Sequence, residues 1–554
     1  MKKHLSLICL LLSLLCILPL NAYAAESKDT TLKYAVGSSY TLTIPDYIEA
    51  NTDGQSVSVS DAILPWGYAL DVTADFDSAL KLNDFSDITL SYDLYVNDSK
   101  ISPNDKVLTQ DAGDNGSGSV IVSANVTGVP TYAGTYTATI IFNAELKEVL
   151  QTDYTVEEIE NDPHLFGIGM TKPEYVVAHF NDDYSSAVIT KNGDDSDGRM
   201  REFDARKSPF SLNKETLSTV IVKAGVTSIG INAFYECSNL SKVQLPDGLQ
   251  VIYRDAFYSC TSLENFYLSD DIMKIEEYAF YSCESLTNVK LPSNLKRIEA
   301  GTFSGCTNLN TVEMGNQITV IDAHAFSSCA FKNITLPSSL QSIGVWAFRY
   351  CNFLESIDIP ETVTSIGSTC FADCKNLQNI NLPSGLTEIA SSTFNNCSSL
   401  ETIDIPTGVT SIGSWGFSNC HAIKNMNLPE SLQSVDVWAF SAMSSVESFN
   451  ISEKNAYFCT ADGVLFSKDM SKLYYFPLGK NTTEYVIPES VTTLGTSSFG
   501  KCKYLKDIYV HENVTHIEQT MFGNVNHPMV HTPSGSAMEQ YCIENGYKYD
   551  NIMK

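Results

Sequence analysis

A mainly β chain is expected from this sequence: a solenoid of about twelve units of ~23 residues, preceded by a separate β-sandwich. Three features lead there. A phenylalanine recurs at Phe234, Phe257, Phe280, Phe303 and Phe326 in steps of 23, then at Phe348 after 22, then at Phe371, Phe394, Phe417 and Phe440 in steps of 23. Phe499 and Phe522 take up the interval of 23 again after an interruption. Within each unit, short alternations of apolar and polar residues have the period of half-buried strands. Upstream of residue 153 the texture changes to longer alternating stretches separated by turn clusters.

Taken in order, residues 1–24 read as a cleaved leader. Lys2, Lys3 and His4 precede an apolar run from Leu5 to Leu20, and Ala22-Tyr23-Ala24 is a small-x-small site cut after Ala24. The leucines before Cys9 and Cys16 do not suit a lipid-anchor signal. Residues 25–152 form the expected sandwich, with strands such as Tyr40–Ile44, Ile88–Tyr92, Val120–Ala124 and Thr135–Phe142. Residues 153–216 read as a connector with a hairpin, Val176 to Phe180 and Ala187 to Lys191, capping the first rung. The repeats fill 217–533, with a hairpin inserted at about 452–488, and 534–554 read as a cap helix through Tyr541 to Asn545 and a tail.

One unit shows why the units must stack. Leu354-x-x-Ile357-x-Ile359 alternates as a strand, and Pro360 ends it because proline cannot extend a ladder. Leu340-x-x-Ile343 is a second short strand, and Ala347 to Cys351 is a turn that points Ala, Phe and Cys inward. No ~23-residue unit buries its own apolar face, so neighbours must cover it. The step of 22 has a local cause: Cys329-Ala330-Phe331 lacks one residue relative to Cys306-Thr307-Asn308-Leu309. At ~4.8 Å between strands, twelve units would span about 60 Å.

This pattern resembles the BspA-like, Treponema-type leucine-rich repeat proteins of bacterial surfaces, with Val226–Gly230, Val363–Gly367 and Val409–Gly413 matching the V-T-S-I-G stretch of that repeat. Asp462 to Asp469 followed by Leu473 to Pro477 is similar to the hairpin inserted in that family. The resemblance implies a leucine-rich-repeat solenoid, surface display, and adhesion to host matrix, host cells or other microbes. Ala133 to Thr139 resembles the last strands of bacterial Ig-like domains, which makes the sandwich an Ig-like one.

Composition excludes some partners. With 35 Lys+Arg against 65 Asp+Glu, the net charge is -30, which repels phosphate backbones and anionic lipid, so neither nucleic acid nor the membrane surface is an expected partner. No stretch after the leader approaches the ~18 apolar residues of a membrane span, so no membrane insertion is expected. The C-terminus lacks a hydrophobic tail, which leaves surface attachment to a partner or secretion into the medium.

No catalytic chemistry stands out, and no cofactor or metal is expected. Ten of the 15 cysteines, from Cys237 to Cys420 and Cys502, recur one per unit at one position; they read as small buried hydrophobes with free thiols. Met443 and Val525 replace them in two units, which favours packing over chemistry. Cys370 and Cys374 lack zinc or redox spacing. His511, His516, His527 and His531 fall at unrelated repeat positions, and Asn192 to Gly198 misses the calcium-loop register. Neither a serine elbow nor a phosphate loop is present.

Two surface columns remain. Alternation turns Asp358, Asn379, Asn381, Thr402, Asp404, Asn425, Asn427 and Asn450 outward on the main strands, as an amide-rich face for an extended extracellular protein ligand. Two residues before the phenylalanines lie Trp346, Trp415 and Trp438, a candidate aromatic column for a glycan. The expected function is therefore non-enzymatic adhesion; a carbohydrate-binding module of a secreted glycan-acquisition system is the alternative, and a structural spacer a third.

Overall fold

The computed structural model describes residues 154–553 with side chains, apart from 195, 519–520 and 523–526; before residue 154 it describes strand backbones between residues 29 and 148, few side chains, and Ile8–Cys9. The rest of the leader, and with it the cleavage site, lies outside the described residues. Contacts divide the chain into two units, residues 1–158 with 179–188, and residues 159–178 with 189–554.

In the first unit the strands pair antiparallel, as short alternating segments joined by turns favour, apart from Ile8–Cys9, which lies parallel to Thr139–Ile140. Asp29–Tyr34, Ser38–Thr43, Gln55–Ile63, Gly118–Val126, Tyr92–Val96 and Ser99–Ile101 make one sheet in that order. A second sheet holds Thr139–Glu148, Tyr68–Phe76 and Asp105–Asp111. The core expected of an Ig-like sandwich lies outside the described residues.

The second unit is the solenoid. Most rungs contribute two short strands, which pair in parallel with the same strands of a neighbouring rung. Ser356–Asp358 lies beside Asn379–Asn381, and Ser342–Ile343 beside Ser365–Ile366. In main strands such as Ser356–Asp358 and Asn379–Asn381 the central residue, Ile357 or Ile380, is buried and its neighbours are exposed. The turn between the strands is also held rung to rung: Phe371 donates its N–H to the Thr393 carbonyl at 2.9 Å, and Asp373 donates to Asn395 at 2.8 Å. From Phe234 to Phe417 each such turn has left-handed residues two positions before and two after the phenylalanine. Thr369 and Asp373 have φ of 61° and 62°, Ser392 and Asn396 57° and 62°. Ser, Asp and Asn tolerate that region better than branched residues do, which explains their frequency there.

The repeating phenylalanines stack. From Phe234 to Phe440 successive rings lie 5.0–6.0 Å apart and within 3–22° of parallel. The separation exceeds the ~4.8 Å strand spacing because offset stacking is preferred to a face-to-face sandwich. Among the described residues the column holds fourteen rings, for Phe210 packs below Phe234 at 4.5 Å, and Phe476 precedes Phe499 and Phe522.

The cysteine column runs beside it. Cys260, Cys283, Cys306, Cys329, Cys351, Cys374, Cys397 and Cys420 each donate the thiol to the carbonyl of the phenylalanine one rung back, at 3.1–3.3 Å. All thirteen cysteines from Cys237 onward are free. Burial pushes the Cys306 and Cys351 thiols up to about 12, which keeps them protonated, as a donor must be.

At 452–478 the chain leaves the repeat. Phe458–Ala461 and Val464–Ser467 form an antiparallel hairpin, and Lys472–Tyr475 returns to pair in parallel with Thr493–Leu494. At the far end helix Ala537–Asn545 is capped by Ser536, whose hydroxyl accepts the Glu539 N–H at 3.1 Å, and by left-handed Gly546. Met538 and Cys542 enter the last core, and Tyr549–Asp550 pairs with Met529–His531 to cover the sheet edge.

Candidate functional site

The outward strand face follows from the alternation just described. Asp358, Asn379, Asn381, Thr402, Asp404, Asn425, Asn427 and Asn450 are all exposed. Many of these side chains bond to their own column. Asn381 donates to Asp358, Asn450 donates to Asn427 at 3.0 Å, and Ser448 donates to Asn425 at 2.8 Å. Ser356 donates to Asn333 at 2.8 Å in the same way. Such ladders fix side-chain rotamers before any ligand arrives, which lowers the ordering cost of binding. Asn379, Thr402 and Asp404 have no side-chain partner among the described residues, so their polar groups face solvent.

The face is less continuous than the alternation predicts. Strand pairing covers Asn333–Ile334, Ser356–Asp358 and Asn379–Asn381, and resumes at Asn425–Leu428 with Ser448–Ile451. Between them Thr402 and Asp404 keep the exposed-buried-exposed order without a paired strand. A break before Asn333 coincides with the one-residue deletion at Cys329-Ala330-Phe331, which shortens the loop leading into that strand.

On the turn side the three tryptophans have three environments. Trp415 is half exposed, at 50%. Trp346 meets His324 edge-on at 4.3 Å and carries the Arg349 guanidinium 5.3 Å from its ring. Trp438 lines a cleft at the interruption of the repeat. They are therefore not one continuous platform.

A second aromatic ladder escaped the sequence reading. Tyr235, Tyr258 and Tyr281 stack at 4.7 and 4.6 Å, within 11° of parallel. Its signal was in plain view, a tyrosine directly after the phenylalanine in three consecutive units. The ladder ends beside a shallow depression of about 410 Å³ between Tyr278, Tyr281 and Ser304 on one side and His324, Trp346, Arg349 and Tyr350 on the other. Gly301 makes room there: at φ +62 it takes a left-handed turn, and a Cβ would come 2.3 Å from the Tyr278 ring. Arg349 also lies 4.4 Å from the Tyr350 ring and donates to its hydroxyl at 2.8 Å. Burial, and then the Arg349 charge, hold the His324 pKa below its usual value, so the imidazole is neutral near pH 7.

The four C-terminal histidines do not converge. His531 sits between Asp550, at 2.6 Å, and Asp507, at 3.1 Å, while His511 contacts the Pro488 carbonyl at 2.8 Å. No cluster of metal-ligating side chains occurs among the described residues. In the turn at 192–198, Asn192 donates to the Glu174 carbonyl at 2.8 Å, and Asp197 is held by Thr171 and Arg199. No described helix is long and apolar enough to cross a membrane.

A family model and several solved structures resemble this chain. The model of the BspA-type leucine-rich repeat region matches residues 208–330, 273–375, 347–462 and 471–553. The chain belongs to that family. A leucine-rich cell surface protein of Faecalibacterium prausnitzii A2-165 is similar at 25% identity, over 53% of this chain and 96% of that one, with a TM-score of 0.31. A leucine-rich repeat protein of Bacteroides ovatus is similar at 18% identity, over 68% and 98% of the two chains, with a TM-score of 0.35. The leucine-rich repeat protein of T. pallidum is similar at 23% identity, over 45% and 88%, with a TM-score of 0.27. No curated protein matches the chain.

Proposed function

We propose that this is an exported, non-enzymatic adhesion protein, secreted or held at the cell surface, with an Ig-like N-terminal unit and a solenoid that binds an extracellular protein through its strand face. The observation that carries this reading is the set of exposed, laddered amides from Asp358 to Asn450. Such a face offers many hydrogen bonds to an extended partner. Its affinity would be the sum of modest contacts, with rotamers already fixed.

The test is binding of the full chain to host matrix proteins and mucin, with and without Asn381→Lys, Asp404→Lys and Asn427→Lys combined. All three positions are exposed, so folding should survive, and binding should fall at least tenfold. Unchanged binding would remove this face as the site.

The depression around Trp346 favours a second reading, glycan binding. Aromatic faces with a guanidinium and hydroxyls between them suit a sugar ring, whose C–H face stacks while its hydroxyls bond. On a glycan array Trp346→Ala should then remove binding, alongside Trp415→Ala and Trp438→Ala. Protein adhesion should survive those changes. A spacer without any ligand would be silent in both assays.

A further inference from the structure

Among the described residues the turn stack is interrupted after Phe440, and the gap has a regular shape. In the unbroken part, the N–H two residues after each phenylalanine donates to the carbonyl one residue after the next. Asp373 bonds to Asn395 at 2.8 Å, Asn396 to Ser418 at 2.8 Å, and Asn419 to Ser441 at 3.0 Å. The next donor in this series is the Ala442 N–H. The turn that should receive it is incomplete: Phe476 re-enters the column and donates its N–H to the Ser498 carbonyl at 2.9 Å, but the chain leaves the stack again from Pro477. The carbonyl at the equivalent place on the far side of the gap belongs to Gly500. Among the described residues no hydrogen bond reaches either group.

Tyr475 fills part of the gap. Its ring meets Phe440 edge-on at 5.2 Å, and its hydroxyl donates to the Asp436 carbonyl at 2.6 Å. What remains is a cleft of about 340 Å³ lined by Trp438, Ala442, Met443, Phe476, Gly500 and Lys501, among others. Ligand pockets run from about 300 to 1,000 Å³, so this one holds an aromatic residue and its immediate flanks.

We propose that this cleft binds a short turn of another polypeptide, which completes the interrupted rung turn in trans. An aromatic side chain of the ligand enters among Phe440, Met443 and Phe476. Its backbone carbonyl accepts from the Ala442 N–H, and its backbone N–H donates to the Gly500 carbonyl. A peptide is favoured over a sugar because the two unmet groups are one amide donor and one amide acceptor, placed by a repeat that elsewhere receives backbone. Most of the remaining lining is apolar, with few side chains to meet a ring of hydroxyls. The logic is that of strand addition at an open sheet edge, applied to a stack of turns.

The probe is a synthetic, end-blocked peptide copying residues 390–396 of this chain, the turn around Phe394, which contains neither Trp nor Cys. The full chain is titrated with it, and binding is followed by calorimetry and by the change in fluorescence that Trp438→Phe should remove. Saturable binding is expected. Ala442→Tyr should weaken it at least tenfold by filling the cleft, and the backbone accommodates the change because Tyr350 holds the same repeat position at φ 62°. Gly500→Leu obstructs the opposite wall and should have the same effect, which guards against misfolding of either variant alone. Absence of saturable binding, binding unchanged in both folded variants, or displacement of the peptide by oligosaccharides would each overturn the proposal.

Discussion

Cysteine in an exported protein ordinarily raises the question of disulfides, and here the side-chain geometry answers it. Eight thiols of the main column, from Cys260 to Cys420, are already committed as donors to a phenylalanine carbonyl one rung back. That carbonyl also accepts the backbone N–H of the cysteine three residues on, as Phe348 does from Cys351 and Phe371 from Cys374 at 3.2 Å, so the thiol takes up its second lone pair. The raised thiol pKa and the lack of solvent then suppress thiolate, the reactive form. Native protein should therefore resist alkylation by iodoacetamide at Cys260, Cys283 and their column mates, with only half-buried Cys459 and Cys502 modified slowly, and all thirteen should react once denatured. Mass spectrometry of the labelled peptides reads this directly. Rapid native labelling of Cys374 would contradict the buried-donor role. One-per-unit spacing and the substitutions at Met443 and Val525 made burial of this column legible in the sequence. The acceptor was not legible, because it is a backbone atom on another rung. The face residues from Asp358 to Asn450 were legible as outward by alternation alone, whereas their mutual bonding depends on rotamers that no spacing encodes. The depression at Trp346 was hidden for a different reason: it needs a glycine two rungs from the tryptophan.

Elements at the ends of a solenoid carry the burden of covering what the next rung would cover. At the C-terminus, helix Ala537–Asn545 and the strand Tyr549–Asp550 do so, and His531 ties three neighbouring strands through Asp507 and Asp550. Burial lowers the His531 pKa, but the two carboxylates outweigh it and the net shift is upward. Asp550 shifts downward, chiefly because of the same contact with His531. Since the folded His531 pKa lies above the unfolded value of ~6.5, its stabilisation is full below that pH. It is lost as pH rises through the folded value. The carboxylate contribution behaves oppositely and fades in acid as pH falls through the lowered Asp550 value. Protection of the Val530 and Thr532 amides, which donate to Lys548 and Asp550, should therefore drop as pH rises from 6 to 8. Hydrogen exchange corrected for the intrinsic rate measures this, and His531→Gln should flatten the profile. A profile that stays steep in that variant would assign the effect elsewhere. The cap helix itself could be read from Ser536 and Gly546, but the pairing of a tail strand beyond it could not, since two residues are too few to show a period.

For the whole solenoid, the phenylalanine column recurs on both sides of the interruption, and it also shows how far a repeat reading reaches. Twelve units follow from the interval of 23, while the column adds Phe210 and Phe476. Phe210 lies 24 residues before Phe234 and heads no cysteine-bearing unit; Phe476 lies 36 residues after Phe440, beyond an excursion that hides it. Both reach the column because an open end of stacked rings must be covered, whatever sequence supplies the ring. Stability in such an array is the sum of intrinsic rung terms and nearest-neighbour interfaces. Phe371, fully buried and stacked on Phe348 and Phe394 at 5.6 and 5.8 Å, contributes to two interfaces at once. Removing its ring in Phe371→Ala should cost about 3–5 kcal/mol, and the loss should be local, since rungs beyond the neighbours keep their contacts. Urea unfolding should then lose its single transition and resolve into two, with the flanking segments melting separately. Limited proteolysis should cut within the turns around residues 348–394 before it cuts elsewhere in the solenoid. Asn450→Ala, on the exposed face, gives the contrast and should change stability by less than about 0.5 kcal/mol. A single cooperative transition in Phe371→Ala, merely shifted, would mean that coupling extends well past the nearest rung and that the solenoid behaves as one domain.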